Sequence, residues 1–406
     1  MKSERSWGRL DLKYNIWKDC RRVPLPELLD FIVDNRGKTV PTVNQNEACN
    51  VVLIATNCIR NENLYPVYEK IRFISEDTYK TWFRSHPIPG DIIFVNKGTP
   101  GRVCLCPDII DFCIAQDMMA FRVDSNKLYN EYLLAVLRSR VMQEQIRITS
   151  VGDTIPHFKK EFLKDLYIPV PPMEIQRIIG DYYYNLSQKI ELNKKINENL
   201  EQQAQAIFKS WFVDFEPFGG VMPTDWEVSS LGKVSNMGAG GDKPQNTTST
   251  PTSENVVPIY SNGLTNEGLY GFTDNAKIEV ESVTVSARGT IGYVCLRQVP
   301  YVPIVRLITL IPNVEIVSAK YLYHWLKTLH IAGTGTTQQQ LTVPSFKKTE
   351  ILVPDSSTMK HFTETVNPFY SVILSNKHEN HRLTNLRDTL LPKLLSGEID
   401  VSEVQI

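Results

Sequence analysis

Two short turns in this 406-residue chain carry the residue types best suited to hold a phosphate or the edge of a base. "NKGTPGR" at 96–102 and "ARGTIGY" at 287–293 each set a cation, a glycine and a threonine between strand-like runs. Glycine permits close backbone approach, Lys97 or Arg288 supplies charge, Thr99 or Thr290 supplies a hydroxyl, and Arg102 or Tyr293 closes the turn. An ordinary hairpin turn, copied together with its framework, is the competing reading.

Two further pairs of segments have the same character. "DNRGKTVPT" at 34–42 offers Arg36 and Lys38, and "GAGGDKPQNTT" at 238–248 offers Lys243. The two occupy matching places but differ in sequence, as loops that read different ligands on one scaffold should. "TSVGDTIPHFKK" at 149–160 and "GTGTTQQQLTVPSFKK" at 333–348 supply Asp153, Thr154 and His157 in one case and Thr336, Gln338 and Gln339 in the other. These are types that hydrogen-bond base edges. Lys159, Lys160, Lys347 and Lys348 could contact phosphate or simply form a solvated face.

Catalytic chemistry leaves little trace. "RGKT" at 36–39 lacks the glycine that a phosphate-binding loop needs five residues earlier, because Ile32 stands there. "NPFY" at 367–370 faintly resembles the loop of amino-group DNA methyltransferases but lacks the second proline and any glycine-rich cofactor loop. Cys104, Cys106 and Cys113 lack a second ligand pair and read as buried thiols rather than a metal site. No nucleophile elbow is present.

Composition narrows the class. Lys and Arg total 44 against 45 Asp and Glu, a net charge of −1, so any nucleic-acid surface must be a local patch or be shared with a partner. Seven cysteines, an odd number, and the absence of an apolar leader or membrane span predict a cytoplasmic chain without disulfides.

The turns must be positioned by larger elements. From 23 to 171 short β-branched runs such as "VVLIATNCI", "DIIFVNKG" and "MMAFRV" alternate with turn signals, and Tyr132, Leu133, Val136 and Leu137 fall at helical spacing. A long helix follows over 172–214, with Leu186, Ile190, Asn193, Asn197, Leu200, Ala204, Ile207 and Trp211 alternating by four and three. A second strand-rich segment with its incoming linker spans 215–354, and a second long helix and tail fill 355–406. That helix repeats the frame with Phe369, Ile373, Asn376, Asn380, Leu383, Arg387, Leu390 and Leu394. A buried Asn on a seam costs stability but fixes register, which predicts that the four asparagines meet at mid-helix in an antiparallel coiled coil.

"KYLYHWLK" answers "EYLLAVLR", and "VPSFKKTEILVP" answers "IPHFKKEFLKDLYIP". The chain therefore reads as an α+β tandem duplication of a unit of roughly 190 residues, far longer than a solenoid repeat. Antiparallel helices of about 40 residues, roughly 60 Å long, would place the domains at opposite ends, where a repetitive ligand such as duplex DNA could touch both.

This order of domain, helix, domain, helix resembles the specificity subunit of type I restriction-modification systems. The likeness is carried by "LYIPVPPMEIQRII" at 166–179, "PTDWEVSSLGKV" at 223–234, the paired turns at Lys97 and Arg288, and "LRDTLLPKLLSGEID" at 386–400. The resemblance implies two target recognition domains, each reading half of a split site on double-stranded DNA. It further implies helices that set the spacer and dock two methylation subunits, with restriction subunits completing an ATP-dependent endonuclease. S-adenosylmethionine, ATP and Mg would then sit on partner subunits, the complex would methylate adenine, and this chain would be non-catalytic. Residues 1–22 fall outside the resemblance and have no assigned role. A coiled-coil scaffold with two protein-binding lobes, or a stand-alone DNA methyltransferase or nuclease, are the alternatives.

Overall fold

The computed structural model describes residues 15–35, 37, 39–45, 50–152, 154–331 and 340–400. The chain divides into two compact units, residues 1–195 with 377–406, and residues 196–376. Both cuts fall inside long helices. The helices that carry the argument are α1 (Asn130–Arg138), α2 (Arg140–Thr149), α3 (Met173–Phe212), α4 (Ala319–Thr328) and α5 (Ser356–Ser396).

The strands of the first unit are β1 (Arg21–Pro24), β2 (Leu29–Val33), β3 (Asn50–Ile54), β4 (Arg72–Ser75), β5 (Ile92–Val95), β6 (Val103–Leu105), β7 (Phe112–Ile114), β8 (Met118–Val123) and β9 (Tyr167–Val170). They form sheets of order β2-β8-β5-β6, β4-β3-β7 and β1-β9. The second unit has β10 (Glu227–Ser230), β11 (Ser235–Ala239), β12 (Val257–Tyr260), β13 (Leu269–Thr273), β14 (Ser282–Val285), β15 (Val294–Arg297), β16 (Val302–Pro303), β17 (Ile308–Pro312) and β18 (Glu350–Val353). Its sheets run β11-β17-β14-β15, β13-β12-β16 and β10-β18, the same order strand for strand. Even the parallel pairing of strands recurs, β3 with β7 and β12 with β16.

The duplicated sequence explains this identity of wiring. "IIFV" in β5 and "SVTV" in β14 are buried throughout, as central strands covered on both faces must be. Prolines at the ends of β9 and just before α3 stop the ladder and start the helix without a wasted donor. Tyr132 of α1 donates to the carbonyl of Pro169 at 2.8 Å, and Tyr321 of α4 donates to that of Leu352 at 2.6 Å. In each unit, therefore, one buried hydroxyl ties the helix after the sheet to the strand that leads into a long helix.

Within each unit, segments of α3 and α5 run antiparallel. In the first, Tyr182 bonds to the Leu386 carbonyl at 3.1 Å, Ser187 to Arg387 at 3.2 Å and Asn193 to Asn380 at 2.9 Å. In the second, Asn197 meets Asn376 at 2.8 Å, and the rings of Phe208 and Phe362 are 5.9 Å apart. The buried stripe is wider than a two-position heptad seam. Ile190 and Ile373 are buried, but Leu186, Leu200, Ile207, Phe369, Leu383 and Leu390 are half-buried, while Phe208, Phe212, Phe362 and Val366 are fully enclosed. The reason is a second neighbour: Phe208 also packs on Tyr321 and His324 of α4, with centroids 5.4 and 5.6 Å away. A helix that faces both another helix and a globular core needs the broader stripe.

His324 sits at the centre of that second contact, with no exposed surface. Its Nδ1–H donates to Gln205 Oε1 at 2.8 Å, and its Nε2 accepts from the Tyr370 hydroxyl at 2.7 Å. Burial drives its pKa down to about 3, with Lys327 adding to the effect, so the ring is neutral and matched to both partners. Tyr370 thereby explains "NPFY" as part of a helix core.

Candidate nucleic-acid interface

In the first unit β5 runs into the turn at 96–102, and backbone bonds hold that turn against two other segments. Val95 N–H donates to the Arg102 carbonyl at 2.9 Å and Gly101 N–H to Val95 at 3.0 Å, closing the turn around Gly98 at φ +83° and Gly101 at φ +91°. Asn96 N–H reaches the Asp117 carbonyl at 3.0 Å, Phe158 N–H reaches Asn96 at 2.7 Å, and Gly98 N–H reaches Pro156 at 2.9 Å. Lys97, His157 and the segment at 116–117 are thus gathered around one cleft of about 510 Å³, which Asp34, Thr39 and Asn96 also line.

The cleft is rich in acceptors. Asn96 is 1% exposed, its Nδ2 lies 3.4 Å from His157 Nε2, and its Oδ1 has no partner among the described residues. Gln116 Oε1 is likewise buried and has no partner among the described residues. Asp117 lies 4.0 Å from Lys97 Nζ, and Asp34 is 3.1 Å from Lys160 Nζ. Thr99 and Thr154 are exposed and Arg102 is half-buried, whereas Lys159 is drawn to Glu161 at 3.4 Å and lies over the Phe162 ring. Arg36, Lys38 and Asp153 lie outside the described residues.

The second unit repeats three of these bonds, while Ala287 N–H turns to a side chain, Asn262 Oδ1, where Asn96 N–H meets a main-chain carbonyl. Ser286 N–H donates to Tyr293 at 2.9 Å, Gly292 N–H to Ser286 at 3.0 Å, and Leu341 N–H to Ala287 at 3.0 Å. These bonds make Ala287 the counterpart of Asn96, Arg288 of Lys97, and Gln340 of His157. Arg288 is exposed and lies 3.0 Å from Gln340 Oε1. Thr290 Oγ1 is buried without a partner among the described residues, and Tyr293 is half-buried with its phenol pKa pushed up by desolvation. Lys243 stands 5.4 Å from the centre of the exposed Tyr270 ring, and Lys347 is exposed beside Gly232. Thr336, Gln338 and Gln339 lie outside the described residues.

Beside this turn, Val305 and Arg306 both adopt left-handed backbone, at φ +53° and +61°. For a β-branched residue that conformation costs about 1–3 kcal/mol and persists only where surrounding structure enforces it. Here Val305 N–H donates to Gly241 and Arg306 N–H to Gly240, each at 2.9 Å, while Asn262 Nδ2 holds the Val305 carbonyl at 2.7 Å. The same Asn262 accepts from Ala287 N–H at 2.7 Å, so one side chain pins the strained pair to the Arg288 turn. Gly240 permits the approach, since a Cβ there would lie 2.7 Å from Ile304 N. Both side chains face solvent. Nothing local in the sequence marks 305–306 or 116–117, because each gains its position from strands distant in the chain.

The buried thiols of Cys104, Cys106 and Cys113 are raised in pKa by desolvation, Cys113 to about 12, which disfavours the thiolate a metal would need. No described helix is long and apolar enough to cross a membrane.

Comparison with known proteins assigns this architecture. The type I restriction modification DNA specificity domain matches residues 19–202 and again 223–385. The type I restriction enzyme MjaIX specificity subunit of Methanocaldococcus jannaschii is 26% identical over 310 residues, covering 70% of this chain and 72% of its own. The HindI specificity subunit of Haemophilus influenzae is 26% identical over 399 residues, covering 76% and 86%. The crystal structure of the type I restriction-modification S subunit from M. genitalium shares the fold, with a TM-score of 0.55 at 17% identity over 95% of this chain and 99% of that one. With two copies of the domain filling most of its length, the chain belongs to the type I restriction-modification DNA specificity family.

Proposed function

We propose that this chain is the DNA sequence-recognition subunit of a type I restriction-modification complex, with one recognition domain at 23–171 and the other at 215–354, each reading one half of a bipartite site on double-stranded DNA. The long helix at 172–214 and the one that, with a C-terminal tail, fills 355–406 set the unread spacer and dock two methylation subunits, to which restriction subunits add. Adenine methylation and ATP-dependent cleavage belong to those partners, which carry S-adenosylmethionine, ATP and Mg in the cytoplasm. The observation that supports this most is the pair of turns: three corresponding main-chain bonds in each present Lys97 with Asn96 in one copy and Arg288 with Ala287 in the other. Two readers built to one plan but filled with different side chains suit two different half-sites. A net charge of −1 fits a subunit whose partners supply many of the phosphate contacts.

The test is exchange of residues 23–165 for the equivalent part of a family member with another specificity, followed by mapping of methylated adenines. One half of the recognised sequence should change while the other half stays fixed. A change in both halves, or in neither, would overturn independent reading.

A further inference from the structure

The repeated scaffold allows the two domains to be superposed residue by residue where their sequences no longer align. Phe94 of β5 pairs with Met119 of β8, and Val285 of β14 pairs with Ile308 of β17. Counting back from these partners, Gln116 corresponds to Val305 and Asp117 to Arg306. In both domains this pair precedes the central sheet strand and lies against the cation-bearing turn, through Asn96 in the first and Asn262 in the second. The place in the strand register is the same, the backbone is left-handed only at 305–306, and the chemistry is inverted.

We propose, resting on the function above, that Asp117 and Arg306 are equivalent base-reading positions of opposite polarity. Asp117, with Gln116 and Asn96, takes an amino-bearing edge, the N4 of cytosine or the N6 of adenine. Arg306 takes guanine. The first assignment follows from the cleft's lining: the accessible Asp117 carboxylate stands beside Gln116 and Asn96, whose buried oxygens Oε1 and Oδ1 have no partner among the described residues. A carboxylate oxygen accepts from an N–H group. In the major groove cytosine offers only N4–H, while guanine offers only the acceptors O6 and N7, which the guanidinium fork matches in pairs. Lys97, 4.0 Å from Asp117, keeps the cleft from being purely anionic.

The second assignment follows from the backbone. Three hydrogen bonds and a glycine contact hold Val305 and Arg306 left-handed, a fourth bond anchors Asn262 to the turn, and both side chains face solvent. Structure that enforces an unfavoured conformation on exposed residues fixes where a side chain is presented, which a reading position requires.

The experiment is selection of a randomised duplex library on the full chain assembled with its methylation subunits, for the wild type and for Arg306→Ala, Arg306→Asp, Asp117→Ala and Asp117→Arg. The wild type should select a split motif. Arg306→Ala should lose about 10- to 100-fold of the preference at one G·C pair in one half-site, and Asp117→Ala a comparable preference at one pair in the other. Arg306→Asp should invert its pair from G·C to C·G, and Asp117→Arg should install guanine at its position. Both side chains are at least partly exposed, so thermal melting within a few degrees of wild type is expected, and Arg306→Lys, which keeps the charge without the fork, substitutes should Arg306→Ala not fold. A wild type that selects no split motif would sink the recognition function itself. A split motif that the variants leave unchanged, or an Arg306→Ala that relaxes an A·T pair, would overturn the base assignment alone.

Discussion

Asn193 and Asn380 meet side chain to side chain, with Nδ2 of one 2.9 Å from Oδ1 of the other, and Asn193 also donates to Glu379 at 2.7 Å. Replacing either asparagine alone by Leu removes the amide–amide bond, leaving buried Asn193 with Glu379 or half-buried Asn380 with the Ile190 carbonyl, and should cost about 0.5–1.5 kcal/mol in urea unfolding. The double replacement Asn193→Leu with Asn380→Leu should recover most of that loss while broadening the conformers seen by spin-label distances, because an apolar pair no longer dictates register. Additive losses in the double-mutant cycle would show that the two amides are not coupled.

Lys97→Ala and Arg288→Ala should each weaken DNA binding by the assembled complex. If the cation holds a phosphate, the loss is uniform across sequences and the slope of log affinity against log salt falls by about one. If it reads a base, discrimination at one position collapses and the salt slope is kept. Unchanged binding in both variants would remove these turns from the interface.

Gly180→Ala should destabilise the first unit, although alanine is favoured over glycine in a helix by about 1 kcal/mol. A Cβ at 180 would lie 2.7 Å from Tyr132 N and 2.8 Å from the Tyr129 ring, so α1 would have to move off α3. A loss of about 1–3 kcal/mol is expected from overpacking, read by hydrogen exchange in α1.

Acid should weaken the second unit in two stages. His324 has its folded pKa depressed to about 3 by burial, so its contribution is complete above about pH 6.5 and is lost as pH falls towards 3. Asp355 accepts from Ser357 and Thr358 at the start of α5, which holds its carboxyl well below the usual range, and its contribution fades below about pH 4. Melting between pH 7.5 and 4.5 should show the first stage in the wild type and not in His324→Gln. An identical profile for that variant would exclude His324 as its source.

Much of this was legible in the chain because it is written at short range or twice. Heptad spacing with repeated asparagines marked α3 and α5, and the echo of "GTPGRVCL" in "GTIGYVCL" exposed the duplication. The burial of Phe208 in place of Ile207 was not legible, since heptad spacing reports a single partner and α3 has two. Gln116, Asp117, Val305 and Arg306 were also missed. Their sequences share no pattern, and only the pairing of β5 with β8 and β14 with β17 shows that they are the same place.

The two-stranded ladders β1-β9 and β10-β18 have a consequence for heredity. Each joins the first strand of a recognition domain to its last, so the chain leaves the domain beside the point where it came in, at a strand spacing of about 5 Å. The ladders are held by main-chain bonds that take little account of side chains. Two crossovers in the gene, one in the codons for each strand of a ladder, would therefore replace a whole reader while leaving both junctions hydrogen-bonded. A lineage could exchange a whole reader in one such event with both junction ladders kept.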